Sequence, residues 1–204
     1  MNDNLKEIPA EELVEVRKVL GRFAAPKADA QIFYDLCFAI CAPQTKFEQN
    51  KPVIEELASL DFFETQIPDW VLRETITPVR FFNVKADRLI AAKKQFPLVL
   101  AALQASERSA HEKRMYLKSM IAGLGMKTTS HFLRNQGHQD LAIIDTHILK
   151  FLGEEKKSSI GVPKYLRLEA AFGEICSGMG VSPAELDTYL WKTYSGTEWK
   201  DFVF

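Results

Sequence analysis

Residues Ile121–Gly137 read IAGLGMKTTSHFLRNQG. Two glycines, at 123 and 125, stand between a helix-forming segment that ends near Met120 and a second one that begins near Lys127. Glycine allows the backbone to turn tightly, and the free amides in the first turn of a helix attract anions. The stretch therefore predicts a helical hairpin with an anion site at the start of its second helix, although an ordinary turn between helices remains an alternative.

Apolar residues recur with helical spacing along almost the whole chain. Leu13, Val16, Leu20 and Phe23 are separated by 3, 4 and 3 residues, which places them on one helix face. Strand signals are nearly absent, and the apolar run LAII at 141–144 is too short to be more than a connector. The pattern predicts an all-α protein with about ten short helices.

Capping residues and prolines mark the ends of these helices. The sequence SPAE at 182–185 has a serine cap, a proline in the first turn and a glutamate three residues on, as a helix start prefers. Proline interrupts helices. We therefore expect Pro52 to kink or divide a helix over Thr45–Leu60, and separate helices at Asn83–Phe96 and Pro97–Ala105.

The charge balance argues against generic binding to nucleic acid. The chain has 204 residues, of which 26 are basic and 27 acidic, and its net charge is −1. A DNA-binding protein with this balance has to localise its cations or contact phosphates through backbone amides. No apolar run is long enough to span a bilayer, and the N-terminus does not resemble a signal peptide. We expect no membrane association and a cytoplasmic location, at the nucleoid if the organism is prokaryotic.

The cysteines and histidines do not form a recognisable ligand pattern. Cys37 and Cys41 are four residues apart and share a helix face, where small buried hydrophobes are expected. Four cysteines are needed for the usual zinc or iron–sulfur sites, and the chain has three. We expect no metal bound by side chains and no iron–sulfur cluster.

Lys127 and Asp145 are the candidates for chemistry. The positive potential at a helix start disfavours the protonated form of Lys127, and a nucleophilic lysine must be neutral. A solvated lysine at a helix start is the alternative. Asp145 precedes an amphipathic helix in AIIDTHILKF, so it caps that helix. A capping carboxylate that also faces a cleft can accept a proton or stabilise a cation.

Several segments resemble the helix-hairpin-helix DNA glycosylase superfamily. They are the hairpin with its lysine and downstream aspartate, ICAPQTKFEQ at 40–49, RFFNVKADRLI at 80–90, and SPAELDTYLWKTYSG at 182–196. SHFLRN and LAIIDTHIL are most similar to the archaeal-type 8-oxoguanine DNA glycosylase/AP lyases. The resemblance implies two helical subdomains that flank a cleft. The central subdomain is expected at 28–137, and the terminal one at 1–27 plus 138–204.

The resemblance also implies an activity and its residues. Lys127 is the nucleophile that forms a Schiff base with a damaged nucleotide flipped out of double-stranded DNA, and Asp145 is the essential carboxylate. The remaining expected contacts are Gly123, Gly125, Gln44 and Arg134 for DNA, and Phe81, Trp191 and Lys200 for the base pocket. Loop carbonyls of the hairpin are a possible site for K⁺ or Na⁺, and the protein is expected to be a monomer.

Three alternatives stay open for individual residues. Gln44 either probes the space left by the flipped base or caps the following helix. Phe81 and Trp191 either stack on the base or pack in the core. Arg134 contacts phosphate, is solvated, or pairs with a nearby acid.

Two departures from the family pattern leave the substrate open. The APQTK segment at 42–46 is closer to endonuclease III-type enzymes, and Lys200 is followed by DFVF where the archaeal-type chains end in a lysine. The sequence therefore predicts excision of 8-oxoguanine, with oxidised pyrimidines as a second substrate class. A helix-hairpin-helix module that binds DNA without catalysis is the remaining alternative.

Overall fold

The computed structural model describes residues 7–155, 160–196 and 199. Within these residues every regular element is a helix, so the predicted all-α class is confirmed. The helices are α1 (Ala10–Ala24), α2 (Asp29–Cys41), α3 (Phe47–Ser59), α4 (Asp69–Thr75), α5 (Phe82–Gln104), α6 (Ala110–Met120), α7 (Met126–Arg134), α8 (Thr146–Phe151), α9 (Val162–Met179) and α10 (Pro183–Ser195).

Reciprocal side-chain caps fix the starts of α6 and α10. The Ser182 side chain accepts a hydrogen bond from the Glu185 amide at 3.2 Å, and the Glu185 carboxylate accepts one from the Ser182 amide at 2.6 Å. Ser109 and Glu112 form the same reciprocal pair at the start of α6. Each pair satisfies two amides that the helix leaves without acceptors. The helix start predicted from SPAE is therefore confirmed.

The prediction of two helices on either side of Pro97 is wrong. Residues 82–104 form the single helix α5, with Pro97 inside it, and Pro52 likewise lies inside α3. Proline lacks the N–H that would bond to the carbonyl four residues back. The helix continues because one face is buried on both sides of Pro97, and burial of that face outweighs one missing hydrogen bond. The buried residues on this face are Ala86, Leu89, Ala92, Phe96, Val99 and Ala102.

The chain folds into two compact units. The first unit is Pro26–Phe132, and the second consists of the described residues within Met1–Ala25 and Leu133–Phe204. The first unit contains α2 to α6 and most of α7. The second contains α1 and α8 to α10.

An aromatic cluster forms the centre of the first unit. Phe33 of α2 is fully buried, and its ring centroid lies 5.2 Å from that of Phe96 and 5.6 Å from that of Phe62. Phe63 packs against both Phe33 and Phe96. Such edge-on and tilted pairs add to the stabilisation that burial alone provides. They attach α2 to α5 and to the segment that follows α3.

The second unit is built around the packing of α1 against α10. Val16, Val19, Leu20 and Phe23 of α1 form a buried cluster with Ala184. At the edge of this cluster, Arg17 pairs with Glu185 and Lys192 with Glu12. Segments far apart in the chain thus form one core.

The two cysteines of α2 behave as buried hydrophobes, as predicted. Cys37 and Cys41 are both free and buried. Burial raises the pKa of Cys41 to about 12, so its thiol is neutral at physiological pH and a poor nucleophile. None of the helices in the described part of the chain has the length and apolarity that a membrane span requires.

The continuity of α5 generates a stability prediction. Pro97 is exposed, so Pro97→Ala removes no buried contact, while it supplies the missing N–H and a better helix former. We expect the free energy of unfolding to rise by about 1–2 kcal/mol, measured by urea denaturation. A fall would show that the packing of α5 needs the local geometry that proline imposes.

Candidate active site

The predicted hairpin joins α6 to α7 through residues 121–125. Ile121 and Leu124 are buried and anchor the turn, and the Leu124 amide bonds to the Ile121 carbonyl at 3.2 Å. Gly123 has φ +99°, a conformation that residues with a Cβ rarely adopt. The tight turn therefore depends on glycine at 123.

Hydroxyl groups organise the start of α7. The Gly125 amide donates to Thr128 Oγ1 at 2.7 Å, and Thr129 Oγ1 donates to the Gly125 carbonyl at 2.7 Å. The first backbone bond of the helix runs from the Thr129 amide to Gly125. The amides of residues 126–128 precede that bond, so they lack helical acceptors and add to the positive end of the helix dipole. This arrangement can hold an anion.

Arg88 of α5 lies directly over Gly123. A Cβ built on Gly123 would be 2.8 Å from Arg88 Cδ and 3.3 Å from its Nε. Arg88 is half-buried and forms no ion pair with any acid in the described ranges. The hairpin therefore carries a guanidinium group in addition to its amides.

A buried arginine ties the two helices of the hairpin together. Arg114 of α6 has no exposed surface, and its Nη1 donates to Ser130 Oγ of α7 at 3.1 Å. Because the contact is buried, it fixes the angle between the helices more firmly than a surface pair would. The start of α7 is held in place by this contact.

Lys127 is exposed at the second position of α7. Among the described residues, no hydrogen bond or ion pair engages its amine. Lys27 in the same unit, by contrast, pairs with Asp35. An amine that no carboxylate neutralises is available to a ligand.

Asp145 caps α8, as predicted from its position. Its Oδ1 accepts hydrogen bonds from the amides of His147 at 2.7 Å and Ile148 at 3.0 Å. Both bonds use the same oxygen. Within the described residues nothing donates to Oδ2, so the cap leaves one carboxylate oxygen free for chemistry.

The connector before Asp145 is held by α9. The Tyr165 hydroxyl donates to the Ala142 carbonyl at 2.8 Å and accepts from the Ile144 amide at 3.1 Å, and Glu169 accepts from the Ala142 amide. Leu141 to Ile144 are buried, and buried backbone groups need such partners. These bonds fix the backbone that carries Asp145.

Gln44 and Phe81 are both exposed, and both have left-handed backbone conformations, with φ of 59° and 61°. α3 begins after Lys46 with no side-chain cap, so the capping role considered for Gln44 is not observed. The Phe81 ring is 54% exposed, and the Arg80 guanidinium lies 4.9 Å from its centroid. Core packing, the alternative for Phe81, is therefore not observed either.

Arg134 is buried and pairs with an acid, which was one of its three predicted roles. Its Nη1 is 3.6 Å from Asp187 Oδ2, and its guanidinium lies over the ring of Phe23. Only 8% of its surface is exposed, so most of the residue is shielded from solvent. The ion pair is therefore observed, and the DNA contact expected from the family resemblance stays a prediction.

The remaining predicted pocket residues lie near the C-terminus. Trp191 is half-buried and packs against the α1 cluster, and a role in the base pocket stays a prediction. Lys200 lies outside the described residues. Within the described ranges, no group of three His, Cys, Asp or Glu side chains has a geometry that could hold a metal ion.

Comparisons with known proteins identify the family. The family model described as 8-oxoguanine DNA glycosylase matches residues 11–181. The chain belongs to the 8-oxoguanine DNA glycosylase family.

Individual relatives match over most of their length. A protein of Korarchaeum cryptofilum named 8-oxoguanine DNA glycosylase/AP lyase is 30% identical, over 94% of this chain and 92% of its own. An Aquifex aeolicus protein of the same name is 37% identical, over 79% of this chain and 75% of its own. The crystal structure of the Methanocaldococcus jannaschii 8-oxoguanine glycosylase/lyase in complex with DNA containing 8-oxoguanine has a TM-score of 0.81 at 27% identity. The match covers 96% of this chain and 95% of that one.

The contacts of two positively charged residues, Arg88 and Lys85, were not predicted from the sequence. Arg88 lies over the hairpin glycine, 35 positions away in the chain, and the buried Lys85 donates to carbonyls of residues 41 and 43. Both belong to RFFNVKADRLI, whose resemblance to an aromatic-Asn-x-Lys-Ala helix start of the family includes Lys85 but assigns no role to either cation. Their spacing is that of any helix with charged residues, so no local signal predicts which segments they contact.

The hairpin generates a prediction with a matched control. Gly123→Ala forces a Cβ into the left-handed region and against Arg88, so we expect a loss of about 1–3 kcal/mol in the free energy of unfolding. Gly125→Ala meets only Thr128 Oγ1 at 3.9 Å and should cost less than about 1 kcal/mol. Urea denaturation of both variants measures the difference, and equal losses would contradict the argument.

Proposed function

We propose that this protein is a bifunctional DNA glycosylase/AP lyase that excises 8-oxoguanine from DNA. The observation that carries the proposal is the exposed Lys127 amine, which has no partner among the described residues and lies in the first turn of α7, beside a hairpin whose amides can hold an anion. Relatives named for this activity, including one solved with DNA that contains 8-oxoguanine, support the choice of lesion.

The chemistry begins with attack of the neutral Lys127 amine on C1′ of a nucleotide flipped out of the duplex. The C1′–N9 bond breaks, and its electron pair leaves with the base, which takes up a proton. Opening of the C1′–O4′ bond then forms the Schiff base. Loss of a C2′ proton breaks the C3′–O3′ bond, so the 3′ phosphate leaves and the strand is nicked.

In this reaction Asp145 acts through Oδ2, because Oδ1 accepts the two hydrogen bonds that cap α8. The carboxylate accepts the proton that the attacking amine releases, and it stabilises positive charge as it develops on the sugar. The two amide bonds to Oδ1 hold the side chain in one orientation. Fixed orientation makes a charged group more effective, because the group need not reorganise during the reaction.

The hairpin holds the DNA strand in this proposal. Amides at the start of α7 and the Arg88 guanidinium contact phosphate, which compensates for the net charge of −1. The carbonyls of residues 122–124 accept no backbone hydrogen bond in the described structure. They are oxygen donors of the kind that suits K⁺ or Na⁺, and such an ion would link the loop to phosphate.

Gln44 and Phe81 contact the duplex. An exposed amide can hydrogen-bond the base left without its partner, and an exposed aromatic ring can stack on a base. Trp191 and Lys200 are proposed to contribute to the pocket for the flipped base. The protein acts on damaged double-stranded DNA as a monomer, in the cytoplasm or at the nucleoid of a prokaryote.

Borohydride trapping tests the nucleophile. Borohydride reduces a Schiff base to a stable amine, so the wild-type protein should be covalently trapped on duplexes that contain 8-oxoguanine. Lys127→Gln should abolish trapping and lower the excision rate by roughly a thousandfold or more, with little change in affinity for DNA.

Lys118→Gln is the control, because it removes the same charge from the other helix of the hairpin and should leave trapping intact. Loss of DNA binding by Lys127→Gln would instead make Lys127 a phosphate contact. A panel that includes thymine glycol separates oxidised purines from oxidised pyrimidines. DNA binding by the wild-type protein without trapping on any lesion would favour the non-catalytic module.

Two substitutions separate the cap of Asp145 from its chemistry. Asn keeps the oxygen that accepts the amides, so Asp145→Asn should change the free energy of unfolding by less than about 0.5 kcal/mol, whereas Asp145→Ala should lower it by about 1 kcal/mol. Both variants lose the carboxylate and should slow excision by about 10²–10⁴-fold in single-turnover assays. An Asn variant that excises at the wild-type rate would show that Asp145 only caps α8.

A further inference from the structure

Two turns of the first unit hold exposed side chains on strained backbone. Gln44 follows α2, Phe81 precedes α5, and both have φ near +60°. A residue with a Cβ adopts this conformation at a cost of about 1 kcal/mol or more. The surrounding structure must therefore hold both turns in place.

Lys85 supplies that restraint for the first turn. Its side chain is 2% exposed, and its Nζ donates to the carbonyls of Cys41 and Pro43 at 2.7 Å each and to Thr45 Oγ1 at 3.1 Å. An ammonium group has three donors, and here each of them has an acceptor. The three acceptors lie on both sides of Gln44 in the chain.

The Thr45 hydroxyl connects the turn that holds Gln44 to the turn that holds Phe81. Thr45 Oγ1 also accepts a hydrogen bond from the Arg80 amide at 3.2 Å. Arg80 immediately precedes Phe81, and its guanidinium lies over the Phe81 ring. Lys85 and Thr45 thus join the backbone around Gln44 to the backbone around Phe81.

Burying the ammonium group of a lysine at this position costs free energy, unless the group makes hydrogen bonds that an apolar side chain could not make. Within the described ranges no carboxylate pairs with Lys85, and burial lowers its pKa. An apolar side chain of similar length would fill the space without that cost. The carbonyls at the C-terminal end of α2 present negative potential that favours the ammonium group.

We propose that Lys85 is a positioning residue that presents Gln44 and Phe81 as one rigid unit to the space left in the duplex by the flipped nucleotide. The inference rests on the proposed function. It predicts that Lys85 matters for double-stranded substrates and much less for single-stranded ones, because a single strand has no partner strand and no such space to fill.

Lys93 provides a matched control. Its Nζ donates to the carbonyls of Phe62 and Thr65 beside Asp61, the other non-glycine residue with a left-handed conformation in the described part of the chain. It therefore performs the same structural task in the same unit. No predicted DNA contact lies on the turn that it holds.

The experiment compares Lys85→Met and Lys93→Met on oligonucleotides with an abasic site, as duplex and as single strand. Single-turnover strand cleavage gives the ratio of the two rates for each protein. For Lys85→Met we expect the ratio of duplex to single-strand rate to fall about tenfold, as loss of hydrogen bonds to a charged group implies. Lys93→Met should lower stability to a similar degree and leave the ratio unchanged.

A double-mutant cycle tests whether Lys85 acts through the two exposed residues. In a Gln44→Ala, Phe81→Ala background, Lys85→Met should no longer change the ratio. An equal effect in both backgrounds, or equal ratios for the two lysine variants, would overturn the inference. Should Lys85→Met fail to fold, Thr45→Val removes the shared hydroxyl and should lower the ratio about threefold, and no change would also overturn it.

The outcomes distinguish this inference from the function on which it rests. A wild-type protein that cleaves neither abasic nor 8-oxoguanine DNA would contradict both. A wild-type protein that cleaves both, with a ratio insensitive to Lys85→Met, would contradict the role of Lys85 alone.

Discussion

The left-handed turn at Gly123 is the constraint on which the candidate site depends. Because residue 123 has no Cβ, the chain can reverse between α6 and α7 within five residues, and Arg88 can lie against the backbone there. The reversal places the amides at the start of α7 and the Lys127 amine at the same end of one helix. The buried contact between Arg114 and Ser130 then keeps that helix in place.

Buried polar side chains position the functional segments in both units. Tyr165 and Glu169 form hydrogen bonds with the backbone of the connector that leads to Asp145. Lys85 donates hydrogen bonds to the carbonyls that precede Gln44. In each case an irregular segment is held by side chains from a neighbouring helix. Buried irregular backbone needs partners for its polar groups, and helices supply rigid positions for those partners.

The net charge of the protein limits how it can contact DNA. A net charge of −1 gives little general attraction to DNA, so contacts must come from a few well-placed groups. Amides and one guanidinium at the hairpin are the groups that we propose for these contacts. Arg134, by contrast, is buried and pairs with Asp187 in the second unit.

The sequence by itself determined the helical class, the capped helix starts, the glycine hairpin and the cap at Asp145, because these depend on residues within about four positions of one another. It also marked Lys127 and Asp145 for chemistry, through a resemblance that family membership supports. Tertiary structure alone decided that α5 continues through Pro97, that Arg134 pairs with Asp187, and that Lys85 and Arg88 reach the turns of the site. Those outcomes depend on burial and on partners distant in the chain, which local spacing cannot specify.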